Sequence, residues 1–278
     1  MAKRSMRDML RVDQSNEPVV LAGIDPASTP GVKGRRKAED GLAKNAKKLG
    51  DLQERLYAED QRALLLILQG TDASGKDGTV KHVVGSMNPQ GCRVTTFKAP
   101  TEQELRHHFL WRIRRALPEQ RMIGIFNRSH YEDVLIVRVH GLVPRTALEG
   151  RYEEINRFER KLAGSGTTVV KVLLHISFEE QRERLLARLR DPTKRWKFNP
   201  EDLEERERWT EYQEAYEAVL QRCSTDEAPW YVVPADRKWY RNWAVSRLLR
   251  ETLERMAPQY PEPNLNIEEL EARLAPPD

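Results

Sequence analysis

An unbroken apolar run, Ala63-Leu-Leu-Leu-Ile-Leu68, leads through Gln69 into Gly70-Thr-Asp-Ala-Ser-Gly75-Lys76-Asp77-Gly78-Thr79. A strand-length run without polar alternation suits a strand covered on both faces, as in a parallel sheet. Gly70, Gly75 and Lys76 stand at the Walker A spacing, and a helix is expected just beyond, over Val80 to Met87. The residue types have a chemical reason. Small residues such as Ala73, Ser74, Gly75, Gly78 and Thr79 let backbone N–H groups curl around phosphate oxygens. The helix N-terminus adds partial positive charge, and the lysine reaches the transferring phosphoryl group. The bland alternative is a glycine-rich strand-to-helix turn with a lysine placed by chance.

One position departs from the usual pattern. The residue after the lysine is Asp77, where a Ser or Thr hydroxyl would hold Mg²⁺. Asp72, inside the loop, is a candidate carboxylate ligand in its place, because Mg²⁺ prefers hard oxygens. A second candidate strand, Met122 to Phe126, runs into Asn127-Arg-Ser-His-Tyr-Glu-Asp133. Ligands of open α/β sheets sit at the carboxyl ends of strands. Arg128 there suits a bidentate phosphate clamp, and Glu132 or Asp133 suits a metal or an acceptor. A plain helix start with capping polar groups is the alternative. Asn127 stands where a Walker B strand normally ends in Asp, so metal duty again falls elsewhere.

The rest of the chain fits one α/β domain. Leu42, Ala46, Leu49, Leu52 and Leu56 recur at helical spacing over Arg35 to Glu59. Further strands are expected over Arg93 to Phe97, Val169 to Ile176 and Trp230 to Val233, with helices between them. Thr101-Glu-Gln-Glu104 and Ser177-Phe-Glu-Glu180 have capping-box spacing and open two of those helices. This alternation predicts a doubly wound α/β sheet. Residues 1–34 read as an arm, ordered in part at best, 35–256 as the domain, and 257–278 as a peripheral tail. Trp239, Tyr240 and Trp243 stand at helical spacing and suit core or subunit interface better than ligand contacts.

Between Arg182 and about Cys223 the strand signal lapses into charged helix, a loop around Asp191 to Pro200, and more charged helix. Such a hairpin before the last strand reads as a lid. Its arginines, with Lys194-Arg-Trp-Lys197, would close positive charge over a phosphoryl group. Plain i, i+4 salt bridging on a solvated helix is the alternative for any one of them, and the Lys-Arg-Trp-Lys segment could equally bind nucleic acid.

Charge and cysteine content narrow the classes. With 47 basic and 43 acidic residues the net charge is only +4, so local clusters matter more than the total. Cys92 and Cys223 match no metal or redox spacing and read as reduced thiols. The longest apolar run is strand-sized, and no apolar segment follows the basic start. A cytoplasmic protein with no membrane partner is therefore expected.

The motifs together are similar to those of the polyphosphate kinase 2 family. The likeness rests on Gly70 to Thr79, Asn88-Pro-Gln-Gly91, Phe97-Lys-Ala-Pro-Thr101 and Phe126-Asn-Arg-Ser-His-Tyr-Glu-Asp-Val134. It continues through Asp191-Pro-Thr-Lys-Arg-Trp-Lys197, Ala228-Pro-Trp-Tyr231 and Trp239-Tyr-Arg-Asn-Trp243. The resemblance implies a three-layer α/β/α P-loop kinase fold with a mainly parallel sheet and a helical lid. It implies reversible, Mg²⁺-dependent phosphoryl transfer from inorganic polyphosphate to adenine or guanine nucleotides, with Mn²⁺ as an alternative ion. It also implies a homodimer or homotetramer, with no nucleic acid as partner. Lys76 and Asp72 map onto the essential loop residues, and Asn127, Arg128, Glu132 and Asp133 onto the second motif. Arg184, Arg188 and Lys194 map onto the lid.

On that basis Asp72 and Asp133 are expected to bind the metal. Polyphosphate is expected over the loop, Asp77 included, and over Lys81, Arg128 and the lid arginines. Asn127, Glu132 and Lys98 are candidate nucleotide contacts, with a strand-end surface lysine the alternative for Lys98. Members preferring ADP resemble an Asp-Arg-Ser-Trp version of the second motif, so Asn127 places this chain nearer the branch accepting AMP as well as ADP. The rival readings are an ADP-only member, an ATP-dependent small-molecule kinase, and a module that binds polyphosphate or nucleic acid without turnover.

Overall fold

The strand β1 (Ala63–Gln69) is buried along its whole length. It pairs in parallel with β3 (Ile123–Asn127) on one side and β4 (Thr167–His175) on the other. With β2 (Cys92–Thr96) outside β3 and β5 (Trp230–Pro234) outside β4, the sheet has five parallel strands in the order β2-β3-β1-β4-β5. This computed structural model describes residues 4–12 and 17–274. The expected strands are all there, with β4 starting at Thr167 rather than Val169.

The helices are α1 (Met6–Leu10), α2 (Arg35–Glu59), α3 (Lys76–Val83), α4 (Glu102–Leu105), α5 (Trp111–Ala116) and α6 (Ile136–Val139). They continue with α7 (Arg145–Gly164), α8 (Phe178–Arg190), α9 (Glu201–Glu207), α10 (Trp209–Cys223), α11 (Lys238–Met256) and α12 (Ile267–Leu274). Side chains alternate across β1, so its apolar run divides between two cores. Leu64, Leu66 and Leu68 pack with α2, α3 and α11. Leu65 and Ile67 pack with α5, α7 and α10. The result is the three-layer α/β/α architecture. Tyr240 and Trp243 lie in the first core with Trp239 packed beside them, as their spacing predicts. The capping box at Thr101 is formed, while the helix after the loop begins at Lys76, earlier than expected.

The described part of the expected N-terminal arm packs on the domain. Met6 and Leu10 enter the first core, and Arg11 bridges antiparallel to Tyr231 on β5. The Glu251 carboxylate accepts the N–H groups of Met6 and Arg7 at the start of α1, at 2.7 and 3.2 Å. An i, i+4 apolar pair on a single short helix is too brief for periodicity to reveal. Within the expected lid span, Ala215, Tyr216, Val219, Leu220 and Cys223 of α10 are buried in the second core, and Gln181, Arg184 and Leu185 of α8 are buried as well.

A buried charge pair joins the layers. Lys171 of β4 donates to Glu159 Oε2 of α7 at 2.5 Å, to the Tyr131 hydroxyl at 2.8 Å and to the Cys223 carbonyl at 2.5 Å. Tyr131 donates in turn to Glu159 Oε1 at 2.8 Å. Burial opposes the charge on Glu159, but Lys171 and His130 outweigh it and hold the carboxyl below its ordinary range. Removing one partner leaves the other charged, buried and uncompensated. Lys171→Met is therefore expected to cost about 3–5 kcal/mol in urea unfolding, and Lys171→Met combined with Glu159→Leu to recover most of that loss.

Candidate active site

The loop after β1 has one backbone logic. Ala73 and Gly75 have positive φ, +62° and +103°, which turns successive N–H groups to one side. Gly70, at φ +148°, has no room for a side chain, since a Cβ would stand 2.7 Å from the Leu174 carbonyl and from Ser74 Oγ. Every carbonyl from Gly70 to Gly75 is already bonded. Lys76 Nζ donates to those of Gly70 and Thr71 at 2.6 and 3.2 Å. Gln181 donates to that of Asp72 at 3.1 Å, and Arg184 to those of Ala73 and Ser74 at 2.9 and 2.8 Å. Thr79 Oγ1 closes the set on Gly75 at 3.1 Å. With its acceptors satisfied from within, the loop offers donors to an incoming ligand, and the start of α3 adds its positive end.

The second motif meets this loop because β3 pairs with β1. Leu68 stands opposite Asn127, and Arg128 N–H donates to the Leu68 carbonyl at 3.0 Å. Arg128 has φ +62°, an uncommon conformation for a side-chain-bearing residue and typical of functional sites. Its guanidinium pairs with Asp72 at 2.6 Å and lies 3.9 Å from Glu132. Asn127 donates to the Asp77 carboxylate at 2.7 Å, joining the two positions at which the usual Mg²⁺ ligands are replaced.

The charges tune one another. Burial lowers Lys76 to about 8, helped by repulsion from Arg128 and partly offset by Asp72, Glu132 and Asp77. Burial raises Asp72, but Lys76, Arg128 and Arg188 outweigh it and keep the carboxyl below its ordinary range. Burial works against the charge on Arg128, and Glu132 with Asp72 more than restores it. Glu132 is raised by burial in spite of Arg128 and Lys76.

The structure separates some residues that the sequence reading joined. Asp133, expected beside Asp72 as a metal ligand, is turned to Arg151 at 3.6 Å, with burial raising it against the pull of Arg112 and Arg151. Glu132 is the carboxylate that shares the field of Lys76, Arg128 and Asp72. The neighbours alternate direction along one short turn, which linear order does not reveal. Arg184, expected to bind phosphate, is 7% exposed and gives its donors to Glu180, Ala73, Ser74, Ala235 and Asp236. It braces the loop from behind.

Arg188 lies 3.4 Å from Asp202 of α9, and its charge reaches Asp72. Lys194 pairs with Asp191 at 2.5 Å. Lys81 and Lys98 are exposed. The sequence reading passed over Asp202, which burial and the nearby Asp72 push up to about 6, and nothing sets it apart in the acidic run Glu201 to Glu207. Arg241 and Asn242, part of the Trp239–Trp243 motif but given no role from sequence, are a polar pair between Tyr240 and Trp243 where helical spacing assigns core. That mismatch was a usable signal.

The family model described as Polyphosphate kinase 2 (PPK2) matches residues 33–261. A Meiothermus ruber protein called AMP/ADP-polyphosphate phosphotransferase is 51% identical over 251 residues, 90% of this chain and 94% of the relative. A Rhodopseudomonas palustris protein called ADP-polyphosphate phosphotransferase is 48% identical over 80% of this chain and 81% of its own length. The crystal structure of Polyphosphate Kinase 2 from Arthrobacter aurescens TC1 superposes with a TM-score of 0.94 at 46% identity, covering 98% of this chain and 97% of that one. The loop, the second motif and the lid thus fall inside one matched span, and the chain belongs to the polyphosphate kinase 2 family.

Proposed function

We propose that this chain transfers phosphoryl groups reversibly between inorganic polyphosphate and nucleotides, with AMP as well as ADP as acceptor. The observation that carries this reading is the meeting of Lys76, Arg128 and Asp72 at the adjoining ends of β1 and β3, around a loop whose carbonyls are all engaged. The likeness to the Meiothermus ruber enzyme, which is called after both acceptors, supports the dual range.

The terminal phosphoryl of polyphosphate lies on the loop N–H groups. Lys76 exchanges its carbonyl partners for phosphate oxygens, Arg128 clamps from the side, and Arg188 approaches from the lid. An oxygen of the nucleotide's terminal phosphate attacks in line. The new P–O bond forms as the bond to the bridging oxygen breaks, and the shortened polyphosphate leaves with that electron pair. The attacking oxygen is ionised near neutral pH, so positioning and charge stabilisation suffice without a strong base.

Among the described residues no cluster of three or more His, Cys, Asp or Glu forms a metal cage. Mg²⁺ needs none, since it takes one or two protein carboxylates and completes its shell with phosphate and water. The donor set fits if Asp72 is joined by Glu132 rather than Asp133. When bound, Mg²⁺ or Mn²⁺ neutralises charge on the phosphates. No helix among the described residues is long and apolar enough to cross a membrane. A cytoplasmic homodimer or homotetramer completes the reading.

With long-chain polyphosphate and Mg²⁺, AMP is expected to yield ADP and then ATP by chromatography. ATP from ADP alone would remove the dual range, and no product from either would remove the proposal. Lys76→Ala and Asp72→Ala are each expected to lower kcat/KM about a thousandfold with the thermal midpoint retained. Near-normal turnover in either folded variant would overturn the site. The active form of Lys76 is the ammonium, so kcat/KM should fall as pH rises through about 8, where the free enzyme loses that proton. Bound phosphate holds the proton on, so kcat should fall only at higher pH. An alkaline limb absent near that value would mean that Lys76 is not the titrating group.

A further inference from the structure

Behind the phosphate loop, on the face away from the ligand, two guanidiniums are buried side by side. Arg184 of α8 reaches the Ala73 and Ser74 carbonyls, as described, and ion-pairs with Glu180 at 2.7 Å. Arg241 of α11 is only 3% exposed. Among the described residues its partners are neutral: Asn242 Oδ1, to which Nε and Nη2 donate at 3.1 and 2.9 Å, and the Ser74 carbonyl, 3.4 Å from Nη1.

The loop is shaped around this cation. A Cβ on Gly75 would stand 1.7 Å from Arg241 Nη1, and one on Gly78 would stand 2.8 Å from Nη2. Both glycines were expected from the approach of phosphate in front. A side chain at either position would also displace the guanidinium behind.

A buried cation without a carboxylate is costly unless something offsets it. Burial lowers Arg241 to about 10, with Arg184 adding to the effect, so it still carries its charge at neutral pH. Lys238, one turn earlier on α11, is lowered by burial and by Arg184. What can offset this excess is an anion on the other face of a loop one peptide thick. The Ser74 peptide, polarised at its oxygen by the guanidiniums, presents a more positive N–H side.

We infer that Arg241 is a positioning residue for phosphate. Its guanidinium, aimed by Asn242, bonds the Ser74 carbonyl through Nη1 and packs against Gly75 and Gly78, which holds the loop backbone in the ligand-binding shape, and its uncompensated charge raises the loop's affinity for the polyphosphate terminus. The inference rests on the loop being the phosphate site, so its test must separate the two ideas.

The probe is inorganic triphosphate with Mg²⁺, titrated by calorimetry into the full chain, wild type and the variants Arg241→Met, Arg241→Lys and Lys76→Ala. Steady-state kinetics with polyphosphate and thermal midpoints accompany it. Arg241→Met is expected to weaken triphosphate binding and raise KM for polyphosphate by about tenfold or more. Arg241→Lys, which keeps the charge and loses the fork, should recover part of the affinity. Full triphosphate affinity in Lys76→Ala would mean that the loop is not the phosphate site. Lost affinity in Lys76→Ala with wild-type affinity in Arg241→Met would overturn the role of Arg241 alone. Should Arg241→Met fail to fold, Arg241→Lys carries the test, and wild-type KM and affinity in that variant would overturn the fork's role. A fall in thermal midpoint with KM unmoved would reduce Arg241 to packing.

Discussion

The parallel pairing of β1 between β3 and β4 is the constraint on which the site depends. A central strand must give all its ladder hydrogen bonds to its neighbours and cover both faces. Ala63 to Leu68 meets both demands, alternating its side chains between two cores. The register that follows places Leu68 beside Asn127, so the phosphate loop and the second motif leave the sheet together. One further bond, from Arg128 N–H to the Leu68 carbonyl, carries the pairing past the strand end and fixes where the guanidinium starts. The buried Lys171–Glu159 pair then holds Tyr131, the middle of the second motif, against the core.

Electrostatics at the site are arranged in opposition. Lys76, Arg128 and Arg188 share one partly buried field with Asp72, Glu132 and Asp202. Each cation has a carboxylate within its field, which limits the cost of holding charge without substrate. Under the proposed function, a polyanion would compete with those carboxylates for the same cations. Lys76 and Asp202 are both brought near neutral pH, the first by burial and Arg128, the second by burial and Asp72. Arg128 stays charged, because Glu132 and Asp72 more than balance its burial.

The loop itself is a case of complete backbone accounting. Buried carbonyls need donors, and here Lys76, Gln181, Arg184 and Thr79 supply them from behind or within. Lys76 and Thr79 are close in sequence, while Gln181 and Arg184 come from α8. Arg184 is thereby bonded to the scaffold, and Gly75 and Gly78 lie against the Arg241 guanidinium.

Much of this was legible in the linear chain. The strand-loop-helix unit, the five strands, α2 and the capping box at Thr101 follow from periodicity and local chemistry, because the causes lie within a few residues of each other. Asp72, Lys76 and Arg128 follow from the same local patterns, and their residue types state what they can bind. Direction of side chains did not follow. Glu132 and Asp133 are adjacent, and only the turn after β3 decides that one faces the loop and the other Arg151. Arg184 and Arg241 lie far from the loop in sequence, and only the packing of α8 and α11 against it makes them its supports. The docked start of the chain is of the same kind, since Met6 and Leu10 gain meaning only against α11 and β5. The sequence by itself determined the fold class and the chemistry of the loop, because those rest on short-range pattern. Tertiary structure alone decided which charges face one another, because that depends on where distant elements are brought together.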